Sequence, residues 1–311
     1  MVVSEGRFKR FSTHPSCRIV IDSCTDVTPE IARRLGVDVI EFPFVMEDGD
    51  HLDDQFVSMS CEEFYARMRA GERVLTSAIP VGVFMDIFES CALDAVPTLY
   101  LSFTAGLSRS VFDAAQAAQD VCAANPGFQL LVVDNCNPSL SGLMIAIEAC
   151  RLRDGGRSVE EIAQWVRENR SRLHGYFTLD SLDRLAAGGR IPKAASTLSN
   201  ILDMKANLTY DLDGALTLTG VSRGRKKAMK TLVKALKSCY VQSDRPLAVV
   251  DADCAQDADR LEEMVREELA PHEVEIIRLR LDPTIGAHVG PGMVALAFWG
   301  TDRSGSDRGK R

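Results

Sequence analysis

Short apolar runs alternate with amphipathic segments through the first half of the chain. The run at residues 18–21 predicts a strand, and Thr28-Pro29 supplies a helix N-cap with proline at the first helical position. Further strands are predicted at 37–44, 98–101 and 129–134, and helices at 60–71, 83–93, 108–124 and 139–152. Regular alternation of strand and helix implies right-handed crossovers and a parallel sheet.

The pattern changes near Gly155-Gly156. Asp213-Gly214 lies between two β-like runs, 206–210 and 216–222, which predicts a hairpin and therefore a sheet that is not purely parallel. The remaining predicted elements are helices at 158–173, 225–238 and 256–269 and strands at 176–179, 247–251, 274–281 and 293–299. We expect an α/β protein of two lobes with a ligand cleft between them. The expected parts are a disordered tail (1–15), an N-terminal lobe (16–160), a C-terminal lobe (161–301) and a second disordered tail (302–311).

Composition narrows the class of protein. The chain has 311 residues, 46% of them hydrophobic and 26% charged, which is enough for two packed domains and excludes global disorder. A net charge of −8 argues against a general nucleic-acid binder. The nine cysteines form no Cys-x-x-Cys pair and show no zinc-finger spacing, so we expect buried thiols and no metal site. The polar start of the chain and the lack of a long apolar run predict a cytoplasmic protein.

Four islands of small and hydroxyl-bearing residues lie where predicted strands give way to loops. They are Asp22-Ser23, Thr76-Ser77-Ala78-Ile79-Pro80, Gly106-Leu107-Ser108 and His288-Val289-Gly290-Pro291-Gly292. Ligand-binding groups gather at this edge of an open α/β sheet. Hydroxyls, one histidine and glycine-exposed backbone suit a carboxylate better than they suit a metal ion or a reactive carbonyl.

Each island also has an ordinary structural interpretation. Thr76 and Ser77 can offer hydroxyls and free backbone N–H groups to an anion, or they can simply cap the next helix. The same two interpretations apply to Thr104 and Ser108. His288 is predicted in a glycine-rich loop between two strands, where a polar role competes with that of a satisfied interior histidine.

Two other functions are open at this point. A hydrolase or transferase would use His288 as a base with Ser77 or Ser108, although no nucleophile-elbow, Walker or zinc-protease motif is present and Asp22 is not spaced as a triad partner. A sensor or interaction protein would use the basic helix from Arg223 to Lys237 as its docking face. The segment Gly188-Gly189-Arg190 is typical of the end of a helix, and this alone accounts for it, but Arg190 could also face an anion.

Taken in order, the islands resemble those of the DegV family of bacterial fatty-acid-binding proteins. The resemblance covers residues 18 to 299, and each motif becomes specific only in combination with the others. The matching segments are Val20 to Ser23, Thr76 to Pro80, Leu107-Ser108, Leu185 to Ile191, Arg223 to Ala228 and His288 to Gly292. The chain departs from the family pattern at Ala105, Arg109 and Ala206.

The resemblance implies a two-lobed DegV-like (EDD) fold that sequesters one long-chain fatty acid without catalysing a reaction and without a cofactor. It implies carboxyl contacts from Thr76, Ser77, Ser108 and His288, with Thr104 and Gly290 beside them, and an Arg223 that faces the head group or a partner. That partner is a separate fatty acid kinase, related to dihydroxyacetone kinases, which makes an acyl phosphate for phospholipid synthesis. Transient contact with a membrane fits the same role.

Overall fold

A computed structural model describes residues 7–14, 16–194 and 203–305. The strands are β1 (Phe8–Lys9), β2 (Arg18–Asp22), β3 (Asp38–Ile40), β4 (Pro43–Met46), β5 (Gly49–Leu52), β6 (Leu75–Thr76), β7 (Thr98–Ser102), β8 (Leu130–Asp134), β9 (Leu173–Leu179), β10 (Met204–Tyr210), β11 (Leu216–Arg223), β12 (Leu247–Asp251), β13 (Ile276–Arg280) and β14 (Val294–Trp299). The helices are α1 (Pro29–Leu35), α2 (Cys61–Arg69), α3 (Val81–Ala92), α4 (Ser110–Ala124), α5 (Leu140–Asp154), α6 (Val159–Asn169), α7 (Asp183–Ala187), α8 (Arg225–Cys239), α9 (Ala255–Leu269) and α10 (Pro283–Val289).

The first sheet has the strand order β1-β3-β2-β7-β8 and is parallel except at β1. Its strands are apolar on both faces because helices cover both. Apolar residues of α3 and α4 pack on one face, and those of α5 and α6 pack on the other. The predicted parallel sheet of the N-terminal half is confirmed.

The second sheet has the order β11-β10-β9-β14-β12-β13, with a parallel pair only at β12 and β13. The predicted hairpin is present, since β10 and β11 pair antiparallel. Helices α8 and α9 cover the outer face, and the inner face joins the core that also contains α5. The mixed sheet is therefore confirmed, and α5 lies between the two sheets.

Local capping signals place several helix ends. Thr28 accepts a hydrogen bond from the Ile31 N–H at the start of α1, and Gly36 closes that helix in the left-handed region at φ 59°. Ser158 and Glu161 form a reciprocal capping box at the start of α6. These ends match the sequence prediction to within a residue or two.

Two predicted elements are wrong. The run 37–44 does not form one strand: it breaks before Pro43, and β4 continues in a separate antiparallel sheet of order β5-β4-β6. Proline lacks the N–H that a continuous ladder needs, and it is tolerated as the first residue of a strand. His288 does not lie in a loop but in the last turn of α10, which Asp282 caps by accepting from the Ile285 N–H at 2.7 Å, with Pro283 at the first helical position.

The predicted tails are only partly described. Phe8 and Lys9 pair with Ile40 and Val39 at the sheet edge, so this part of the 1–15 tail is ordered, whereas residues 1–6 and 15 lie outside the described residues. In the second tail the Arg303 guanidinium donates to the carbonyl oxygens of Tyr210 and Asp211, and residues 306–311 lie outside the described residues. The lobe boundary near residue 160 stays a prediction. None of the helices in the described part of the chain combines the length and apolar character needed to cross a bilayer.

Candidate functional site

A cavity of about 830 Å³, its open mouth included, lies between the two sheets. Both lobes contribute to its wall, which is mainly apolar. The large apolar side chains in that wall include Phe42, Phe103, Leu140, Phe177, Ile285 and Met293. A concave pocket with a mainly apolar wall and few polar groups is the usual form of a site for a small apolar ligand.

The cavity brings together four of the residues predicted from the sequence. Thr76 ends β6, Ser77 follows it, Ser108 precedes α4, and His288 is in the last turn of α10. Thr76 Oγ1 and His288 Nε2 are 2.7 Å apart, so the two groups are hydrogen-bonded across more than two hundred residues of sequence. We call Thr76, Ser77, Ser108 and His288, with Arg190 described below, the polar rim.

His288 is neutral at physiological pH. Burial lowers the pKa of its imidazole to about 4, and the nearby charge of Arg190 acts in the same direction. A Cβ atom at Gly188 would lie only 2.5 Å from His288 Nδ1, so the ring fits because residue 188 has no side chain. The neutral imidazole can therefore donate its single N–H to an anionic ligand without forming an ion pair.

Arg190 is the cation of the rim, and the sequence did not place it there. Its backbone N–H donates to the Leu185 carbonyl at 2.9 Å, and Gly189 adopts φ 75°, so the chain turns back after α7. The guanidinium donates to the Gly188 carbonyl, and burial lowers the pKa of Arg190. The sequence left open whether Arg190 faces an anion or simply follows a helix end, and the structure places it, half-buried, in the cavity wall.

Ser110 links two parts of the rim and was also missed. Its hydroxyl accepts from the Ile79 N–H at 3.0 Å and from the Ser108 hydroxyl at 3.1 Å. The first contact ties α4 to the loop that follows Thr76, and the second orients Ser108. Both serines lie at the start of one helix, so the sequence Ser108-Arg109-Ser110 could have indicated that Ser110 supports Ser108.

Three predicted site residues do not line the cavity. Thr104 is fully buried, and its hydroxyl donates to the Asp213 carbonyl at 3.0 Å, which anchors the turn of the β10–β11 hairpin. Gly290 closes α10 at φ 78° against Arg184. Arg223 is exposed at the end of β11.

The three departures from the family pattern also lie away from the cavity wall. Ala105 donates its N–H to Asp134 at 3.1 Å, and Arg109 is an exposed residue at the start of α4. Ala206 is buried in β10, where it pairs with Leu179. These three departures from the family pattern therefore leave the rim side chains in place.

Behind the cavity wall lies a cluster of buried carboxyls that no sequence pattern indicated. Asp26, Asp53 and Asp282 are fully buried; the Asp282 N–H donates to the Asp26 carboxyl at 2.9 Å, and carboxyl oxygens of Asp53 and Asp282 lie within 4.8 Å of one another. Carboxyls this close in a buried site cannot all ionise together. Burial raises the pKa of Asp26 to about 6 and that of Asp282 well above its ordinary range. We call these three residues the acidic cluster.

Two side chains of the cavity wall are hydrogen-bonded to the acidic cluster. Ser139 donates to Asp26, and Thr284 donates to Asp53 at 2.7 Å. The sulfur of Cys24 lies within 4.8 Å of oxygen atoms of Asp53 and Asp282. Burial raises the pKa of this thiol well above its ordinary range, and the neighbouring carboxylates act in the same direction.

Ser77, His288 and Asp22 do not form a serine hydrolase triad. The Asp22 carboxylate accepts from the Phe103 N–H at 2.6 Å and from the Tyr100 hydroxyl at 3.1 Å, rather than from His288. The partner of His288 Nε2 is Thr76, and its other ring nitrogen faces Gly188. Asp22 therefore holds the start of the loop after β7 in place, and burial raises its pKa to about 7.

Known sequences resemble the chain over nearly its full length. The model of the family described as "Uncharacterised protein, DegV family" matches residues 16–300. A DegV domain-containing protein of Clostridium perfringens is 28% identical over 283 residues, which cover 91% of this chain and 97% of that protein. One from Streptococcus pyogenes serotype M3 is 31% identical over 240 residues, which cover 76% and 82% of the two chains.

Solved structures show the same architecture. A DegV family protein from Thermus thermophilus, described by its fatty acid binding, is 26% identical with a TM-score of 0.80 and coverage of 92% of this chain and 100% of the other. A Thermotoga maritima protein whose structure revealed a fatty acid binding function is 25% identical, with a TM-score of 0.78 and coverage of 92% and 99%. These likenesses confirm the two-lobed fold that the sequence motifs implied.

Proposed function

Because this chain belongs to the DegV family, we propose that it holds one long-chain fatty acid in the cavity and presents the carboxyl group to a separate fatty acid kinase. The observation that carries the proposal is the pairing of an apolar cavity with a polar rim at one end of it. In this proposal the alkyl chain lies among the phenylalanine and leucine side chains, and the rim receives the acid. The chain itself binds and presents the ligand.

The alkyl chain supplies most of the affinity. Burying about fourteen methylene groups contributes on the order of 11 kcal/mol before the costs of ordering and association. The rim then has to orient the head group and balance its charge. Arg190 offers charge-assisted hydrogen bonds, while Thr76, Ser77, Ser108 and neutral His288 offer hydrogen bonds without a full charge.

Of the residues nominated from the sequence, the proposal keeps Thr76, Ser77, Ser108 and His288 as carboxyl contacts and adds Arg190. Arg223 remains a candidate for the kinase-facing surface, because it is exposed at the end of β11, next to the basic start of α8. Thr104 and Gly290 instead support the backbone on either side of the site.

Extraction followed by mass spectrometry tests the binding half of the proposal. The purified protein is denatured and extracted with solvent, and the stripped protein is then refolded and incubated with oleate or stearate. We expect a stoichiometric C16–C18 fatty acid in the first extract or after incubation. Ala295→Phe fills the cavity wall and should abolish retention, whereas Leu218→Phe, on the exposed face of β11, should not. Absence of fatty acid in both extracts would contradict the proposal.

The kinase half needs its own experiment. The loaded protein is mixed with a fatty acid kinase and ATP, and acyl phosphate is trapped as a hydroxamate. We expect His288→Ala to lower acyl phosphate formation more than it lowers fatty acid binding, because the chain dominates affinity and the rim positions the reacting carboxyl. Equal losses in both measurements would contradict the assigned role of His288.

A further inference from the structure

Helix α8 carries a row of lysines on its exposed side. Lys226, Lys230 and Lys234 follow one another at one helical turn, so they lie on one side of the helix, and all three are exposed. None of them forms an ion pair with a residue that the structure describes. We call these three residues the basic row.

Helix α9 carries the opposite charge beside the basic row. Glu263 and Glu267 are also one turn apart and exposed, and neither pairs with a cation in the described part of the chain. We call these two residues the acidic row. The two rows form the walls of an open groove whose floor consists of Met229, Val233 and Met264. The surface therefore has a basic half and an acidic half with a narrow apolar strip between them.

Two ion pairs show that the helices run parallel. Arg225 at the start of α8 pairs with Asp257 at the start of α9 at 2.7 Å. Lys237 near the end of α8 pairs with Glu268 near the end of α9, also at 2.7 Å. The basic row and the acidic row both lie between these two pairs, so they are level with each other along the groove.

A second copy of the chain matches this surface in one orientation. A two-fold axis that lies in the surface and runs parallel to the helices places α8 of each copy over α9 of the other. Each basic row then faces the acidic row of the other copy at the same height. A two-fold axis across the helices would instead place basic row against basic row, which charge repulsion opposes.

We propose that the outer face of α8 and α9 is a self-association surface on which two copies of this chain form a weak, salt-sensitive dimer. A uniformly acidic partner would be attracted by the basic row and repelled by the acidic row, whereas a second copy matches both. The two helices cover the outer face of the second sheet, so the dimer leaves the cavity between the sheets open. The inference does not depend on the proposed fatty-acid function.

The size of the surface sets the expected strength of the dimer. Each of the two helices has 15 residues. Side by side they are about 22 Å long and about 20 Å wide, so each copy contributes roughly 450 Å², against about 800 Å² in a stable complex. We therefore expect association in the micromolar range, weakened by salt because exposed charge pairs are screened.

Sedimentation velocity of the full-length chain tests the surface. The wild type should dimerise as its concentration rises to about 100 μM in low salt, and about 0.5 M NaCl should raise its dissociation constant at least about tenfold. Lys230→Glu with Lys234→Glu makes the outer sides of both helices acidic, and Glu263→Lys with Glu267→Lys makes both basic. Each double variant alone should remain monomeric, because like charges then face each other.

Mixing the two double variants gives the sharpest outcome. In a mixed pair, an acidic α8 faces a basic α9 and a basic α8 faces an acidic α9, so complementarity returns on both sides. We expect a mixed dimer of about wild-type affinity, identified by native mass spectrometry with one variant isotope-labelled. The control is Asp86→Lys with Glu89→Lys on the exposed side of α3, which makes the same change in net charge as the α9 variant and should leave the wild-type dimer intact.

Three results would overturn the proposal. The first is a wild type that stays monomeric at about 100 μM in low salt, and the second is a dimer that survives in either double variant and therefore uses another surface. The third is a failure of two folded, monomeric variants to combine, since their monomeric state would then reflect net charge rather than complementarity. Circular dichroism checks each fold, and Lys234→Glu mixed with Glu267→Lys replaces any double variant that unfolds.

Discussion

The two ends of α10 lie in opposite electrostatic environments. At its start, Asp282 is packed against two further carboxyls and retains a proton that an aspartate normally loses. At its end, His288 faces Thr76 and Arg190 and lacks a proton that a histidine readily gains. Burial causes both shifts because it disfavours whichever form is charged. One short helix therefore joins a protonated aspartate at its start to a neutral histidine at the cavity.

The two ends also respond to pH in opposite directions. The raised pKa of Asp282 contributes stability that is complete below a pH of about 4 and is lost as pH rises through the folded-state value. The lowered pKa of His288 contributes stability that is present above a pH of about 6.5 and is lost as pH falls through about 4. Each end can be tested by removing its titrating group.

The largest expected effect concerns the charge beside His288. Arg190→Gln keeps a donor for the Gly188 carbonyl but removes the cation of the rim. Because a charge-assisted hydrogen bond contributes about 1.5–3 kcal/mol, we expect fatty acid affinity to fall about 10- to 100-fold. Competition binding at fixed ionic strength measures it. Arg223→Gln, which neutralises an exposed arginine, should leave affinity unchanged, and equal affinities for both variants would remove Arg190 from the site.

The sequence predicted much of the scaffold and four of the five rim residues, and the exceptions have physical causes. Strand and helix periods, together with caps such as Thr28 and Ser158, are local and could be recognised in the sequence. The cap formed by Asp282-Pro283 is equally local but was missed, because the glycines around His288 were interpreted as a loop. Arg190 reaches the cavity only through the left-handed turn at Gly189, so its environment depends on tertiary structure.

The acidic cluster could not have been predicted from sequence patterns. Its members, Asp26, Asp53 and Asp282, come from three segments that meet only after both lobes fold. Each aspartate alone has the appearance of a turn or cap residue.

The next effect in size is expected at the start of α10. Asp282→Asn can still accept from the Ile285 N–H and can donate to Asp26 or Asp53 without losing a proton. We expect the free energy of unfolding at pH 8 to rise by about 2 kcal/mol and its decline with rising pH to flatten. Denaturant unfolding across pH 5–9 measures both.

Asp251→Asn is the matched control, because Asp251 is equally buried but is paired with Arg280 at 2.9 Å. It should destabilise the protein at pH 8, since it leaves a cation without its partner. If Asp282→Asn also lowered the stability at pH 8, the ionised form of Asp282 rather than its protonated form would stabilise the acidic cluster.

A change of similar size is expected from the other end of the same helix. His288→Gln retains a side-chain partner for Thr76 but cannot titrate, so the acid limb of the stability curve should flatten between pH 6.5 and 4 by about 3 kcal/mol. Unfolding measurements at pH 4, 5 and 6.5 check it, with His14→Gln near the start of the chain as control. An unchanged acid limb would assign the loss of stability at low pH to other groups.

The smallest expected effect separates Thr104 from the rim. Thr104→Val removes the hydroxyl that donates to the Asp213 carbonyl and accepts from the Gly106 N–H, but it keeps the shape of the side chain. We expect a loss of about 1 kcal/mol in stability and no change in fatty acid affinity, because Thr104 holds the β10–β11 turn rather than the ligand. Thr104→Ser, which keeps the hydroxyl, should recover most of that stability. If Thr104→Val weakened binding and left the unfolding curve unchanged, Thr104 would belong with Thr76 and His288 after all.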